Sequence, residues 1–422
     1  MRSYFSFATG NRRFIAFGFL AAFSSSFGQT YFVGVFGPAI QSDFRLSHTA
    51  WGAIYMAGTL ASASLLPFTG RQIDRLDLRR YTLAVFLLLG LACALVAVVP
   101  GPATLILAVF LLRQSGQGLM SHVAITSMAR YFDAGRGRAI AIATLGFSAG
   151  EALLPFAGVI IIGLIGWRSA FAGVVVLIAF ILLPAAMWLL KGHGQRHREH
   201  LDALARPGHG TKAPRRSWSV PEVLRDARFY LLLPGLLAPP MIMTAMFFHH
   251  LTLADAKGWA NAWITGNYIV FAAATTLTSL AAGQLIDRLG AVRLVPLMLA
   301  PLFVAMMMVA FLDDAWTVIP YLAFAGVNTG LAHTTVAAMW TELYGLMHLG
   351  AIKSLAAALG VFGSALGPVT MGGLMDAGMS IENVCLAFAA YTIVGSVLMG
   401  TALGSAGARL GSATRRAERA HE

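Results

Sequence analysis

Charged residues are scarce in this chain of 422 residues. Lys, Arg, Asp and Glu together make up 11% of it, whereas hydrophobic residues make up 58%. A soluble domain carries about 25% charged residues, because its exterior must stay polar. The composition therefore excludes an ordinary soluble globular protein and predicts a chain embedded in lipid.

The chain also has only two cysteines and no nucleotide-binding loop. The two cysteines, Cys93 and Cys385, fall in apolar runs. There they act as small apolar side chains and not as a disulfide framework or a metal site. No Gly-x-x-x-x-Gly-Lys-[Ser/Thr] loop is present, which excludes ATP as the energy source. We expect no enzymatic activity, no cofactor and no metal ion.

Long apolar runs are abundant instead. Each is about 20 residues or longer, which is enough to cross a hydrocarbon core of about 30 Å. The sequence predicts an all-α membrane protein with twelve transmembrane helices. They are expected at residues 14–40, 50–69, 81–99, 103–128, 138–163, 169–190, 229–251, 261–284, 293–312, 316–340, 350–375 and 382–404. The first run is too long for a removable signal peptide.

The positions of the cationic residues predict the orientation. Of 30 lysines and arginines, only Arg45, Arg168 and Lys257 fall in outer loops if the N-terminus is cytoplasmic, and Arg113 lies inside a helix. All the others are then cytoplasmic, as the positive-inside rule requires. The net charge of +12 thus faces an anionic inner leaflet, and it does not indicate nucleic-acid binding.

One long polar segment divides the chain. Its end, Ser219 to Glu222, has the pattern of a helix start, with Ser as the N-cap. Four histidines lie in it without cysteines, which favours a solvated linker over a metal site: His193, His197, His200 and His209. We predict an N-terminal half (1–190), a cytoplasmic linker with a short surface helix (191–228), a C-terminal half (229–404) and a cytoplasmic tail (405–422).

The two halves repeat each other. Gly70, Asp74 and Arg75 lie between two apolar runs and recur 213 residues later. The recurring residues are Gly283, Asp287 and Arg288, and the same offset maps Gly150 onto Gly363. Homologous halves build a pseudo-symmetric bundle around a central cavity, which indicates transport.

The paired loops resemble the hallmark loop of the major facilitator superfamily, whose fold consists of two six-helix halves. Further segments resemble its bacterial monocarboxylate-transporter-like branch. These are Ser26–Gly28, Val35–Pro38, Arg113 with Gly116–Gly118, Ala129–Phe132, Arg136–Ala139 and Gly166–Arg168. The resemblance implies a secondary transporter that works by alternating access.

The resemblance also implies a gate at the cytoplasmic side. Asp74 would meet the start of the eleventh helix near Gly350, and Asp287 the start of the fifth helix near Gly137, when that side is closed. A helix dipole favours such an anion by up to about 2 kcal/mol. The predicted gating residues are Gly70, Asp74, Arg75, Arg79, Arg80, Arg130, Gly283, Asp287 and Arg288.

The chain departs from the eukaryotic members of that family in its first and eighth helices. Those members use a lysine in the first helix, where Gln29 and Tyr31 are the nearest polar residues here. They use an aspartate and an arginine in the eighth, where this chain carries Thr275 and Ser279. The proline of the drug antiporter signature is also absent, since Gly150 is followed by Glu151.

Two charged residues lie deep in predicted helices. Arg113 is about 15 Å and Glu151 about 20 Å from the nearer helix end at 1.5 Å per residue. A charge there costs at least about 2.5–3.5 kcal/mol, so it needs a reason. The pair is either a static ion pair or a site for substrate and protons. Weaker candidates are Gln29, Tyr31, His249, Asn267 and Asn328. Pro234, Pro239 and Pro240 are expected to kink the seventh helix.

We therefore expect a monomeric, proton-coupled transporter of a small organic anion in the bacterial inner membrane, with both termini cytoplasmic. Arg113 would contact the anion. An alternative is efflux of amphipathic or cationic compounds, with Glu151 as the charged contact. A third interpretation is a membrane sensor that keeps the fold without transporting.

Overall fold

The computed structural model describes residues 10–132, 135–194, 218–345 and 348–419, without the side chains of Asp74, Leu349 and residues 405–419. Twelve helical segments, named α1 to α12 in chain order, make up most of this part. They are α1 (Arg12–Phe44, interrupted), α2 (His48–Gly70), α3 (Leu78–Val98), α4 (Pro102–Tyr131), α5 (Arg136–Ile165), α6 (Trp167–Leu189), α7 (Ala227–Lys257), α8 (Asn261–Leu289), α9 (Ala291–Phe311, interrupted), α10 (Val318–Tyr344), α11 (Leu349–Asp376) and α12 (Ile381–Arg419).

Nine of these segments are long and apolar enough to cross a membrane, counted over the described residues. The other three are α1, α2 and α10. The first is broken into short helices, while α2 and α10 have 23 and 27 residues and so have sufficient length. Their lower hydropathy fits helices that face protein instead of lipid. The predicted helical fold is confirmed, although α12 continues beyond its predicted end at 404.

The chain forms two compact units. The first contains the described residues of Met1–Thr211 together with Phe247–Asp255 and Trp259–Ile269. The second contains those of Lys212–Met246, Ala256–Gly258 and Val270–Glu422. The C-terminal end of α7 and the beginning of α8 therefore belong to the first unit, although they follow the linker in sequence.

Glycines related by the repeat have the same packing role. In the first unit Gly150 of α5 lies against α1, where an added Cβ would be 2.8 Å from the Ser26 Cβ. In the second unit Gly363 of α11 lies against α7, 3.2 Å from Leu237 by the same measure. Small residues let helices approach closely in lipid, where no hydrophobic force drives them together. The repeated glycines therefore mark a close contact between the first and the fifth helix of each half.

The C-terminal end of the fourth helix of each half contacts the connection between the second and third helices. In the first unit Arg130 donates to the Ile73 carbonyl at 3.1 Å. In the second unit Glu342 accepts from the N–H groups of Ala291 at 2.9 Å and Val292 at 3.1 Å. A cation is used in the first unit because the loop there offers a carbonyl oxygen. An anion is used in the second because a helix start there offers unpaired N–H groups.

The linker ends in the predicted short helix, Val220–Leu224. The Ser219 N–H donates to Glu222 Oε2 at 2.7 Å, which forms part of a capping box. Asp226 follows, and it accepts from Arg228 Nε at 2.9 Å and from the Tyr344 hydroxyl at 3.1 Å. Partial burial opposes ionisation of Asp226, but these hydrogen bonds outweigh it and lower the pKa of its carboxyl.

The three prolines of α7 leave its backbone dihedral angles helical, and the kink expected at them stays a prediction. Helical geometry continues through Pro234, Pro239 and Pro240, and the non-helical residue is His249, with φ −109° and ψ 15°. A proline removes one hydrogen bond, and neighbouring groups in a membrane bundle can take over the freed carbonyl. His249 lies in the C-terminal part of α7, Phe247–Asp255, which belongs to the first unit.

Candidate functional site

The first helix is interrupted where the sequence predicts one continuous helix. A 3₁₀ turn covers Ser25–Gly28, and Gln29 is extended with φ −84° and ψ 154°. The Ser24 and Ser25 hydroxyls donate to carbonyls of the preceding turn at 2.7 Å each. Such bonds bend helices and compete with the regular ladder. The interruption releases backbone groups of α1 from the regular helical hydrogen-bond pattern, so they can bond to other groups.

The fourth helix is irregular at the level that meets this interruption. It adopts a π-helix over Arg113–Met120, a geometry that often marks functional positions. An added Cβ at Gly116 would lie 2.6 Å from the Gly28 nitrogen, and one at Gly28 would collide with the Leu112 carbonyl. The two backbones therefore touch, and both positions require glycine.

Arg113 occupies this crossing. Its side chain is 2% exposed, and Nη1 donates to the Gly28 carbonyl at 2.9 Å. Its guanidinium carbon lies 5.1 Å from the centre of the Tyr55 ring. Nε is buried without a hydrogen-bond partner, and no ion pair of Arg113 occurs in the described part of the chain. The Gly28 carbonyl and the Tyr55 ring thus position the Arg113 guanidinium, but no carboxylate of the described residues neutralises its charge.

Glu151 borders the same interruption from α5. It follows Gly150, which packs on Ser26, and its side chain is half-buried. Its carboxyl lies within electrostatic range of the phenols of Tyr31 and Tyr268. The described contacts include no ion pair between Glu151 and Arg113. Both charges therefore surround one break in α1 without compensating each other directly.

Polar residues of α1 line the break. The Tyr31 hydroxyl donates to Ser26 Oγ at 2.9 Å, and Thr30 Oγ1 shares a 2.5 Å hydrogen bond with the Tyr55 hydroxyl. Gln29 is half-buried and forms no side-chain hydrogen bond to another described residue. The predicted candidates Gln29 and Tyr31 thus lie at the same place as Arg113.

The C-terminal end of α7, which belongs to the first unit, carries aromatic and imidazole rings. His249 is 1% exposed, and its ring lies 5.7 Å from that of His48 on α2. His250 is equally buried, and its Nδ1 shares a 2.6 Å hydrogen bond with the Tyr268 hydroxyl. Of the two adjacent histidines, His250 belongs to the polar group that approaches Glu151. The candidate His249 instead faces the outer end of α2.

The two asparagine candidates have local partners. Asn267 donates through Nδ2 to the Trp263 carbonyl at 2.8 Å, one turn earlier, at a short interruption of α8. Asn328 lies in the second unit, where Nδ2 donates to the Met298 carbonyl at 2.7 Å and connects α10 to α9. The Asn267 contact stabilises its own helix, whereas the Asn328 contact joins two helices and leaves Asn328 Oδ1 buried without a hydrogen-bond partner.

The predicted gating residues lie in or beside the α2–α3 and α8–α9 connections, apart from Arg130 near the C-terminal end of α4. Asp77 Oδ1 accepts from the N–H groups of Arg79 at 3.0 Å and Arg80 at 3.2 Å, which caps α3. The side chain of Asp74 lies outside the described part, and the contacts expected of Asp74 and Asp287 stay predictions. Exposed members of the set are Arg75, Arg79, Arg80, Asp287 and Arg288, whereas Gly70 is buried and Gly283 and Arg130 are half-buried.

Sequence reasoning missed Tyr55, Tyr268 and the hydrogen bond of His250. Tyr55 lies in a helix whose other residues are mostly apolar, so its sequence context does not mark it. Tyr268 directly follows the candidate Asn267, but the interruption of α8 shifts the helical register there. A regular helical wheel therefore could not place the Tyr268 hydroxyl, and nothing in its sequence context singled out Tyr55.

Comparisons with known proteins agree with this architecture. The nucleoside transporter NupG matches with a TM-score of 0.68 and 14% identity over 93% of this chain and 98% of that chain. A mutant of NupG matches with a TM-score of 0.66 and 12% identity over 92% and 99%. At such identities the likeness concerns the fold alone. No curated protein matches.

A sequence profile of the Major Facilitator Superfamily matches residues 18–368, which include all or part of α1 to α11. This family consists of membrane transporters and not enzymes, in keeping with the long apolar helices of both units. The chain therefore belongs to the Major Facilitator Superfamily and is a multi-pass secondary transporter of small molecules.

Proposed function

We propose that this transporter moves a small organic anion, of the monocarboxylate type, across the bacterial inner membrane together with protons. The observation that carries the proposal is Arg113, a buried cation with one carbonyl partner and no acidic partner among the described residues. A buried charge of this kind is costly when unpaired. A substrate carboxylate would supply the missing anion.

The chemistry of the guanidinium suits this role. It offers a planar set of donors that matches the two oxygens of a carboxylate, and charge-assisted bonds of this kind are about twice as strong as neutral ones. The Gly28 carbonyl and the Tyr55 ring restrict its orientation before substrate arrives. Such preorganisation reduces the entropy lost on binding.

Charge balance connects the anion to a proton. Arg113 and an ionised Glu151 together carry no net charge, so a bound monoanion would leave the site with a charge of −1. One proton on Glu151 restores neutrality. A neutral site has the lowest electrostatic cost within the membrane while the transporter changes conformation. The proposal therefore couples one proton to one monoanion, with Glu151 as the group that is protonated.

The outer ends of α1 and α7 support alternating access. Gly34 lies so close to the Phe247 carbonyl that a Cβ would collide with it, and the ring of Phe248 stacks on Trp51 at 5.2 Å. These contacts cover the outer side of the α1 break. They must separate when the site opens outward, and Asp74 and Asp287 would then hold the cytoplasmic side closed.

We further propose a monomer with two halves, at 1–190 and 229–404, joined by a linker (191–228) and followed by a tail (405–422), with both termini cytoplasmic. A cysteine at Gly210 should then resist impermeant thiol reagents in intact cells. A cysteine at Gly101, in the loop before α4, should react and serves as the control. The native Cys93 and Cys385 are buried and should remain silent. Labelling at Gly210 from outside would overturn this orientation.

Efflux of a cationic or amphipathic compound is the competing function. The observation in its favour is Glu151, which is half-buried and forms no ion pair in the described part of the chain. Cationic ligands would then bind, and loss of Glu151 would abolish binding. A sensor would bind ligand but show no saturable flux in liposomes.

The deciding experiment measures thermal stabilisation of the purified protein by monocarboxylates, amino acids, lipophilic cations and nucleosides, the last because NupG carries them. Ligands that bind the folded state raise its stability by mass action. We expect stabilisation by monocarboxylates, weakened in Arg113→Lys and absent in Arg113→Gln. Glu151→Gln should bind but lose the pH dependence of uptake. The exposed Lys353→Gln is the matched control, and stabilisation by cations alone would refute the proposal.

A further inference from the structure

A basic cavity lies at the cytoplasmic ends of α1 and α6, remote from the α1 break. Its volume is about 290 Å³, and its polar lining includes Asn11, Arg12, Arg13, Lys191 and His193. Among the described residues, the lining contains no acidic side chain. Orientation of the chain explains cations in cytoplasmic segments, but it does not explain why three of them surround one concave space.

The walls of this cavity are ordered. The ring of His193 is buried and stacks on Phe14 at a centroid distance of 5.6 Å. It also meets Tyr131 edge-on at 4.7 Å. Arg12 and Lys191 are exposed at the rim. A packed aromatic wall with exposed cations at the opening suits a compact anionic group better than a flat surface patch does.

Trp188, which Arg13 contacts, indicates at which level of the membrane the cavity lies. Arg13 Nη2 donates to the Trp188 carbonyl at 2.7 Å, and its guanidinium carbon lies 5.1 Å from the centre of the indole ring. The Trp188 side chain is 61% exposed. Exposed tryptophans of membrane helices lie at the level of the lipid headgroups.

An apolar face of α6 continues from this level into the hydrocarbon region. Phe180 and Ile181 are 76% and 58% exposed, and they lie about 10–12 Å deeper than Trp188 at 1.5 Å per residue. A ligand with a phosphate group in the cavity could therefore place hydrocarbon chains along α6. A soluble phosphate compound would not use this face.

We propose that the cavity binds the phosphate-bearing headgroup of an anionic phospholipid, with the acyl chains along α6. Arg12, Arg13 and Lys191 would surround the phosphate. The inference does not depend on the transported substrate, because none of these residues contacts the α1 break. Basic pockets at the cytoplasmic ends of helices are a general mode of lipid headgroup recognition.

The test measures thermal stabilisation of the full chain in detergent by short-chain phosphatidylglycerol. Short-chain phosphatidylcholine, glycerol phosphate and inorganic phosphate are the comparison ligands. Arg12→Gln/Lys191→Gln is the variant, because both side chains lie at the rim and their loss should spare the packing. Arg225→Gln/Arg293→Gln is the control, because it removes the same charge from exposed cytoplasmic positions.

We expect phosphatidylglycerol alone to stabilise the wild type. Its apparent affinity should fall about 10- to 30-fold in the rim variant, given the usual contribution of two basic residues near a membrane surface. The control should bind like the wild type. Equal stabilisation by glycerol phosphate or inorganic phosphate would make the ligand a soluble phosphate and overturn the lipid assignment. Equal losses in variant and control would overturn the site itself.

Discussion

Nη1 of Arg113 donates a 2.9 Å hydrogen bond to the Gly28 carbonyl, 85 residues earlier in the chain. This contact joins the π-helical part of α4 to the interruption of α1. The carbonyl is available because the helix stops there, and the arginine reaches it because two glycines let the backbones touch. Two irregular helices and one cation thus form a single structural feature.

A double-mutant cycle separates a static ion pair from independent charges. Because Arg113 and Glu151 form no ion pair, the stability changes of Arg113→Leu and Glu151→Leu should be closer to additive than those of a direct buried pair. A direct buried pair would give a large coupling energy, since removal of one partner strands the other. Denaturation of the single and double variants in detergent measures the difference. Strong recovery of stability in the double variant would contradict the independent arrangement.

Substitution of the crossing glycines should damage the site. Gly116→Ala forces a methyl group against the Gly28 nitrogen, and overpacking of this kind costs about 1–3 kcal/mol. We expect a lower melting temperature and weaker ligand binding. Gly163→Ala is the control, because nothing lies within 4 Å of the added Cβ there. An unaffected Gly116→Ala protein would show that the two helices do not meet as described.

A larger side chain at Gly34 should favour the outward-open state. Its Cβ would strike the Phe247 carbonyl, so Gly34→Ala destabilises the packing of α7 on α1. A penalty of about 1–2 kcal/mol would shift the conformational equilibrium 5- to 30-fold. Reactivity of a cysteine in place of Gln29 toward impermeant reagents would report the opening. Unchanged labelling would argue against closure by this contact.

Asp74→Asn should shift the equilibrium in the other direction. It removes the anion expected to hold the cytoplasmic side closed at a helix N-terminus, an interaction of up to about 2 kcal/mol. Asp287→Asn should act in the same sense. Distances between spin labels across the cytoplasmic mouth would measure the change. If they stayed constant in both variants, the gating assignment would fail.

The Asp226 junction should make stability depend on acidity. Its carboxyl has a lowered pKa in the folded protein because Arg228 and Tyr344 donate to it. Its contribution is therefore complete above the unfolded value of about 3.9 and is lost as the pH falls through the lower folded value. Asp226→Asn should melt below the wild type at pH 7, and the difference should shrink as the pH falls below about 3.9. Parallel melting curves across this range would refute the role.

Much of the fold was available from the sequence, because the signals are local. A helix satisfies its own backbone groups, so an apolar run of sufficient length specifies a span without reference to its neighbours. The paired Gly150 and Gly363 likewise mark close helix contacts in both halves. The family, the helical architecture and the short linker helix followed from such patterns.

The tertiary structure decided how the helices deviate from regularity. The interruption at Ser25–Gln29 depends on what α4 and α5 place beside it, and the residue of α7 with non-helical φ and ψ is His249, which no local pattern marks. The partners of Arg113 and His250 come from other helices whose rotation no local pattern fixes. Sequence could identify Arg113 and Glu151 as costly charges in lipid. Only the packing of separate helices determined that they border one break without forming an ion pair.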